Sequence, residues 1–300
     1  MLLSGASGLV GVALGRALAA RNADVLRLVR REAEGPGELL WDPDGATPIR
    51  NTAPLEGVRA AVHLSGASLA DHRWTAAWKR RMGQSRVEST RALATVLAKL
   101  ERPPATLLVA SAAGIYGDRG DEVLDEHSDP GKGFLADLCR EWEAAAQPAE
   151  QAGIRVVHLR FGVVLSAEGG ALGKMLPLFR LGIGGRLGSG RQWMSWVALD
   201  DVVAAILFCM DTPGLAGAVN VTAPEPVINA EFTRALGRAV HRPAVLPAPA
   251  FALRLAFGEM ADEALLSSAR VLPARLGEAG FRFAHPDLNA ALSAVLKKRR

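Results

Sequence analysis

Residues 5–11 read GASGLVG, a G-x-x-G-x-x-G pattern, and this stretch decides the fold. A short apolar segment, Met1–Leu3, precedes it, and a helical pattern over Leu9–Asn22 follows. Glycine lets the backbone turn sharply from strand to helix and approach a pyrophosphate that a Cβ would exclude. The start of the helix offers free N–H groups and a positive dipole end to the anion. This context favours a dinucleotide site over an ordinary tight turn.

The next predicted strand, Asp24–Val29, ends at two arginines, Arg30 and Arg31. In dinucleotide-binding sheets an acid about 20 residues past the glycines accepts hydrogen bonds from the ribose of NAD, whereas an arginine accommodates the 2′-phosphate of NADP. No acid stands here, because Asp24 lies at the far end of the strand and Glu32 follows both arginines. We therefore expect NADP(H), with Arg30 as the first phosphate contact and Arg31 as the second. A solvated basic turn is the alternative.

The composition is that of a globular protein and excludes several functional classes. The 300 residues are 49% hydrophobic and 22% charged, which is ordinary globular usage. Lysine and arginine number 35 against 31 acids, and no basic stripe alternates with aromatics, so no nucleic-acid partner is expected. No apolar run reaches the ~18 residues of a membrane span, and the chain begins directly with a strand rather than a signal peptide. We expect a cytoplasmic protein without a membrane partner.

Metal chemistry is not expected either. The two cysteines, Cys139 and Cys209, are isolated in helical patterns, where cysteine usually serves as a buried apolar residue. Neither a CxxC nor an HExxH motif occurs.

The first half of the chain alternates strands and helices. This rhythm predicts a parallel sheet covered on both faces, with ligands at the carboxyl ends of its strands. Beyond the elements already named, the predicted strands are Ala60–Leu64, Thr106–Ala110 and Arg155–Leu159, and the predicted helices are Trp74–Leu100 and Phe134–Gln151.

The pattern changes after Ser166, where glycines cluster and the later segments are mostly helical. We expect residues 1–165 to form the nucleotide-binding domain, with 195–225 returning to it. Residues 166–300 would form a smaller substrate or cap domain. A helix over Asp201–Met210 and a strand over Ala218–Thr222 belong to the returning part.

Several joined motifs resemble the extended short-chain dehydrogenase/reductase superfamily, also called the NAD-dependent epimerase/dehydratase group: VHLSGAS (62–68), ASAAGIYGD (110–118) and LRFGVVLS (159–166). Others are similar to an uncharacterised branch, the epimerase family proteins with a C-terminal domain of unknown function: WDP (41–43), SRVEST (85–90), FLADLCREWE (134–143) and GSGRQWMSW (188–196). The resemblance implies a Rossmann-type α/β fold, a doubly wound parallel sheet with a smaller, mostly helical C-terminal cap.

The resemblance also implies a set of cofactor contacts. The pyrophosphate cradle would comprise Gly5, Ser7, Gly8, Leu9 and Val10. The adenosine phosphate end would meet Val29 and Arg30. Residues lining or reaching toward the cofactor would be Leu64, Ser65 and Arg86, and those near the nicotinamide would be Arg160, Phe161 and Gly162.

The usual catalytic pair of this superfamily is missing. Its reductases use Tyr-x-x-x-Lys, in which the lysine charge lowers the pKa of a tyrosine that transfers a proton. Here the matching stretch is FLADL, with Phe134 and Leu138 in the two places. The chain has one tyrosine, Tyr116, which is the candidate proton donor, although packing or substrate contact is the alternative.

Two further residues are candidates for catalysis. Ser111 matches the substrate-orienting serine of the superfamily. Asp118 could act as a general base, although charged turns are usually only solvated.

Two functions remain open. The first is an NADP(H)-dependent oxidoreductase or epimerase-like enzyme acting on an unidentified small molecule, with a nonstandard acid. The second is a non-catalytic NADP(H)-binding redox sensor or scaffold, which the Phe134 and Leu138 replacements favour. Analogy with extended relatives also predicts a homodimer through the segments Trp74–Leu100 and Phe134–Gln151.

Overall fold

The computed structural model describes residues 1–297, so the last three residues of the basic C-terminal run KKRR lie outside the described part. The chain divides into two compact units. Unit 1 comprises Met1–Ser111, Leu138–Leu159 and Ile206–Val219. Unit 2 comprises Ala112–Asp137, Arg160–Ala205 and the described chain from Asn220 onward. The domain boundary after residue 165 stays a prediction.

The strands, in chain order, are β1 (Leu2–Ser4), β2 (Leu26–Val29), β3 (Glu38–Leu40), β4 (Ala60–His63), β5 (Thr106–Ala112), β6 (Val123–Leu124), β7 (Arg155–Phe161), β8 (Val163–Leu165), β9 (Trp193–Met194), β10 (Trp196–Ala198), β11 (Gly217–Val221), β12 (Val227–Ile228) and β13 (Arg270–Val271).

The helices are α1 (Leu9–Ala20), α2 (Ala76–Gly83), α3 (Ser89–Ala98), α4 (Phe134–Ala144), α5 (Gln147–Gln151), α6 (Gly170–Arg180), α7 (Leu199–Asp211), α8 (Asn229–Ala239), α9 (Ala250–Phe257), α10 (Ala274–Glu278) and α11 (Leu288–Lys297). A π-helical turn, Gln84–Glu88, joins α2 to α3 without a break.

Seven strands form one sheet in the order β11-β7-β5-β4-β1-β2-β3. The pairings of β1 with β2 and β4, of β2 with β3 and of β4 with β5 are parallel. The chain winds outward in both directions from the β1–β4 pair, which makes this pair the switch point of a doubly wound sheet. Ligands of such sheets bind beyond the carboxyl ends of the strands at this point.

The central strands are buried on both faces. All four residues of β4 are buried, and so are the first six of β5. Such continuous apolar runs are typical of parallel sheets covered by helices on both sides. The predicted fold class is confirmed: the sheet is of the Rossmann type, and the C-terminal region is mostly helical.

Unit 2 has a hydrophobic core of its own, to which α6, α8 and α11 contribute. Its largest members are Leu165, Leu172, Leu176, Phe179, Trp196, Phe232, Leu236, Leu288 and Leu292. Three two-stranded sheets also lie in this unit: β8 with β10, β9 with β12, and β6 with β13. The last pair joins the segment after Tyr116 to the C-terminal region.

Several short strands and helices were not predicted, and β3 and α6 show why. The strand β3 is only three residues long, lies at the sheet edge and follows Gly35, Pro36 and Gly37, which signal a turn. The helix α6 contains Gly170, Gly173 and Pro177, all poor helix formers. It forms because Leu172, Leu176 and Phe179 are buried in the core of unit 2, so that packing overrides intrinsic propensity.

Candidate functional site

The glycine-rich loop leaves β1 at Ser4 and turns immediately. Gly5 has a φ of +68°, which L side chains rarely adopt, and a Cβ there would lie 2.7 Å from the carbonyl carbon of Leu64. A Cβ at Gly11 would lie 2.1 Å from the carbonyl oxygen of Gly5. The loop is therefore packed backbone to backbone, at Gly5 against the residues that follow β4 and at Gly11 against Gly5 itself.

The start of α1 is open to an anion. Its N-cap residue, Gly8, makes no side-chain capping bond, and its first turn holds no acid. The amide of Gly8 donates to the carbonyl of Gly5 at 3.0 Å, which fixes the loop against the helix. Uncapped N–H groups and the positive end of the helix dipole favour a negatively charged ligand at this point.

A cleft of about 660 Å³ opens above the loop within unit 1. It spans the glycine loop, the end of β2, the segment after β3 and the π-helical turn between α2 and α3. Its lining residues are Gly5, Ala6, Ser7, Gly8, Arg27, Leu28, Val29, Arg30, Arg31, Glu38, Trp41, Pro43, Leu64, Ser65, Gly66, Ala67, Arg81, Ser85 and Ser89.

The two arginines after β2 differ in their partners. Arg31 donates to both carboxylate oxygens of Glu38, at 2.8 and 2.9 Å. This hydrogen bond lowers the pKa of Glu38. Arg30 is exposed in the cleft and, among the described residues, has no hydrogen-bond or ion-pair partner. The side chain available for a further negative charge is therefore Arg30.

The cleft wall beneath Leu64 carries a chain of hydrogen bonds. The Oγ of Ser65 lies 3.2 Å from the Oγ of Ser4, which lies 2.6 Å from Nδ1 of His63. The Nε2 of His63 lies 3.2 Å from the Oγ of Ser89. Burial lowers the pKa of His63 to about 4, so this imidazole is neutral at physiological pH.

Arg86 lies behind this wall. Its side chain is buried, its Nη2 donates to the carbonyl of Ala67 at 2.8 Å, and its guanidinium stacks over Trp142 at 5.2 Å. Burial lowers the pKa of Arg86, and within residues 1–297 no carboxylate forms an ion pair with it. The carbonyl and ring contacts hold the Arg86 guanidinium behind the 64–67 segment, and Arg86 is not among the lining residues of the cleft.

The structure brings most of the predicted cofactor residues together. Those that line the cleft are Gly5, Ser7, Gly8, Val29, Arg30, Arg31, Leu64 and Ser65. Leu9 and Val10 are the first residues of α1, directly after the loop. Arg86 supports the 64–67 segment from behind.

Two of the remaining candidates, Tyr116 and Arg160, form a hydrogen-bond network in unit 2. Tyr116 is fully buried; its hydroxyl donates to Oδ1 of Asn220 at 2.8 Å and accepts from Nη1 of Arg160 at 2.9 Å. The carboxylate of Glu126 accepts from the amide of Asn220 at 2.8 Å. Burial raises the pKa of Tyr116 and that of Glu126. This environment favours the packing role for Tyr116 over proton transfer.

Phe161 and Gly162 continue from Arg160 at the end of β7. The amide of Gly162 donates to the carbonyl of Val221 at 3.1 Å. These residues, with Arg160, lie in unit 2 and are not part of the cleft lining.

Ser111 and Asp118 also have defined partners. The hydroxyl of Ser111, buried at the end of β5, donates to Glu143 at 2.7 Å. Asp118 is exposed, and its Oδ1 accepts from the amides of Gly120 and Ser268. These bonds give Asp118 a role in holding its loop, and its assignment as a general base stays a prediction.

Sequence reasoning missed part of the cleft. Glu38 and Arg81 were not singled out, and neither were Ser85 and Ser89 on the long helix. The available signal was SRVEST (85–90): Ser85 lies in the π-helical turn and Ser89 directly follows it, and such turns are frequent at functional sites.

Within 1–297 no group of three or more histidine, cysteine or acidic side chains could hold a metal ion. In the same range no helix is both long and apolar enough to cross a bilayer.

Comparison with known proteins identifies the family. Residues 1–222 match the model of the NAD dependent epimerase/dehydratase family, and residues 248–295 match a domain of unknown function, DUF1731. Epimerase family protein Mb2239 of Mycobacterium bovis is 48% identical over 290 residues, covering 97% of this chain and 95% of that protein.

Two solved structures are also similar. The crystal structure of human epimerase family protein SDR39U1 (isoform2) with NADPH matches with a TM-score of 0.90 at 32% identity, covering 99% of this chain and 98% of that one. The nucleoside-diphosphate sugar epimerase from Corynebacterium glutamicum matches with a TM-score of 0.80 at 36% identity, covering 98% of this chain and 57% of that one. The chain therefore belongs to the NAD dependent epimerase/dehydratase family and carries that family's doubly wound sheet together with a C-terminal DUF1731 region.

Proposed function

We propose that the chain binds NADP(H) in the cleft of unit 1. The observation that carries this proposal is a glycine loop with no room for a Cβ at Gly5 or Gly11, together with Arg30 one strand later, which has no hydrogen-bond or ion-pair partner among residues 1–297. The first feature suits a pyrophosphate, and Arg30 suits the 2′-phosphate that distinguishes NADP from NAD. The NADPH in the human relative's crystal structure supports the same assignment.

The residues of the cleft fit such a cofactor. The amides at the start of α1 would hold the pyrophosphate, and Arg30 would hold the 2′-phosphate while Glu38 keeps Arg31 in place. Trp41, only 2% exposed, forms part of the lining on the same side. When bound, a nicotinamide supplies or accepts a hydride.

We further propose that the protein is an oxidoreductase or epimerase-like enzyme that acts on a small molecule without a Tyr-x-x-x-Lys pair. The sole tyrosine, Tyr116, is followed four residues later by Gly120, so the pair occurs nowhere in the chain. The buried hydrogen-bond network around Tyr116 supports a structural role for it. The proton group would then be a carboxylate or another non-phenolic side chain.

A second candidate is a non-catalytic NADP(H)-binding sensor or scaffold. The observation that favours it is the replacement of both catalytic positions by Phe134 and Leu138, neither of which can transfer a proton. Leu138 is buried and serves packing.

One experiment separates these functions. The full chain is purified, titrated with NADPH, and screened for NADPH or NADP turnover with carbonyl compounds and nucleotide sugars. Turnover with any substrate class supports the enzyme. Tight NADPH binding without turnover over the whole panel supports the sensor, and binding of neither NADPH nor NADH removes the basis of both proposals.

The homodimer and the substrate-binding role of residues 166–300 are part of the same proposal. The helices that would pair are α2–α3 and α4–α5. Light scattering on the purified chain tests the dimer: a mass near twice 31.6 kDa is expected, and a monomer at micromolar concentration would contradict it.

A further inference from the structure

Three serines line one side of the cleft: Ser65, Ser85 and Ser89, which we call the serine wall. A hydroxyl carries a single proton, so the direction of each hydrogen bond decides whether the ligand meets a donor or only lone pairs. The surrounding oxygen and nitrogen atoms fix that direction for all three serines.

The direction is set first at Ser89. Its Oγ lies 2.7 Å from the carbonyl oxygen of Ser85 and 3.2 Å from that of Arg86. Carbonyl oxygens only accept, so the Ser89 proton points to one of them. The contact of 3.2 Å between this Oγ and Nε2 of His63 is then a hydrogen bond that His63 donates. His63 is thereby held as the Nε2–H tautomer.

This tautomer also fixes the hydrogen-bond role of the other imidazole nitrogen, Nδ1. In the neutral ring Nδ1 has no proton, so it accepts from the Ser4 hydroxyl at 2.6 Å. The Ser4 proton is thus used, and the contact of 3.2 Å between Ser65 and Ser4 must be donated by Ser65. His63 is fully buried, and Trp41 packs edge-on against its ring at 6.0 Å, which holds the ring in place.

The direction of the Ser85 hydroxyl proton is also fixed by its neighbours. Its hydroxyl donates to the carbonyl of Met82 at 3.1 Å and accepts from the amide of Ala67 at 3.0 Å. Each hydroxyl of the serine wall therefore has its proton directed into the protein, and the wall offers only acceptor lone pairs to a ligand.

We propose that His63 is a positioning residue that, through Ser4, keeps the Ser65 hydroxyl of the serine wall an acceptor like those of Ser85 and Ser89, so that the cleft takes a dinucleotide in one orientation. Phosphates, which only accept, are disfavoured at this wall and are drawn to the helix amides and Arg30. Ribose hydroxyls can donate to it. The inference rests on the proposed NADP(H) site and adds the specificity of one of its walls.

The first test reads the tautomer directly. In the ¹⁵N-labelled full chain without cofactor, we expect the His63 ring to show a protonated Nε2 and an unprotonated Nδ1. A proton on Nδ1 would overturn the inference, whatever the cofactor result.

The second test measures binding. His63→Phe keeps an aromatic ring but frees the protons of Ser4 and Ser65. We expect the Kd for NADPH to rise about 3- to 10-fold, the cost of one net hydrogen bond. Inorganic pyrophosphate would contact only the glycine loop. Its inhibition constant as a competitor of NADPH binding should therefore stay within about twofold of the wild-type value.

Controls separate positioning from damage to the fold. His158→Phe replaces another buried histidine of unit 1 outside the cleft and should leave the Kd for NADPH unchanged. Ser4→Ala repeats the binding test if His63→Phe does not fold. Equal NADPH affinity in the wild type and His63→Phe contradicts the inference, as does parallel loss of NADPH and pyrophosphate binding. A wild type that binds no NADPH contradicts the proposed function instead, while the tautomer remains readable.

Discussion

Arg31 and Glu38 form a two-pronged ion pair across the β2–β3 edge of the sheet, with contacts of 2.8 and 2.9 Å. The pair occupies the arginine that would otherwise compete for a phosphate. Its neighbour Arg30 is left as the cleft's unpartnered guanidinium within the described residues.

Arg30→Ala should therefore reduce the preference for NADPH over NADH. A charge-assisted contact contributes about 1.5–3 kcal/mol, so we expect the Kd for NADPH to rise about 10-fold or more. The Kd for NADH should barely change, because that cofactor lacks the 2′-phosphate. Isothermal titration of both cofactors measures the ratio.

Arg31→Ala is the matched variant. It removes the two shortest contacts of Glu38 and leaves this acid with the 3.4 Å ion pair to Arg27, so the cleft gains net negative charge and should bind both cofactors more weakly. If the Arg30→Ala protein keeps the full preference for NADPH, the 2′-phosphate is bound by another residue.

The glycine loop gives a prediction about stability. Gly11→Ala places a Cβ about where the Gly5 carbonyl oxygen stands, 2.1 Å away, and neither backbone can retreat freely. We expect a loss of about 3 kcal/mol or more in the free energy of unfolding, together with loss of NADPH binding.

Gly15→Ala, four residues further along α1, is the control. A Cβ there meets nothing within 4 Å, so this helix substitution should stabilise the protein by about 0.5–1 kcal/mol. Urea unfolding measures the change in unfolding free energy of both variants. Changes of similar sign and size at the two positions would contradict the close packing of the glycine loop.

The buried imidazole predicts a pH dependence of stability. The pKa of His63 falls from 6.5 to about 4 on folding, so between these values the unfolded chain binds the proton and the folded chain does not. Stability therefore decreases as the pH falls from about 6.5 to about 4, by up to roughly 3 kcal/mol.

The raised carboxyl pKa values of Glu126 and Asp201 act in the opposite direction over part of this range. The comparison of wild type with His63→Phe isolates the histidine contribution. The difference in unfolding free energy should shift in favour of the wild type as the pH rises through this window. A difference independent of pH would contradict the neutral, buried imidazole.

Tyr116→Phe should act on stability rather than on the cofactor. It removes one hydrogen-bond partner of Arg160 and leaves Oδ1 of Asn220 without its donor, which costs about 1–3 kcal/mol in a buried site. The Kd for NADPH should stay within about twofold. If a substrate is found, lost turnover in a variant with unchanged stability would instead make the phenol the proton donor.

Much of the fold could be predicted from periodicity and glycine placement. The strands from β1 to β7 in the central sheet, other than β3, were predicted with ends that differ by at most two residues, because most are apolar runs next to helical patterns. The edge strand β3 and the glycine-containing helix α6 could not, since tertiary packing rather than local preference holds both.

The site was predictable where a motif fixes backbone geometry, as at Gly5 and at Arg30 after β2. The acceptor character of the serine wall was not. It depends on bonds between residues far apart in sequence, such as those of His63 with Ser4 and Ser89, which no local pattern encodes.

The central claim is that the cleft of unit 1 binds NADP(H). Calorimetric titration of the purified full chain with NADPH and, separately, NADH tests it most directly, with the Arg30→Ala protein alongside. We predict saturable binding of NADPH at least about 10-fold tighter than that of NADH, and a cofactor-dependent gain in unfolding free energy near 2.7 kcal/mol at 100 times the Kd. Binding of neither cofactor, or NADH binding as tight as NADPH, would contradict the account.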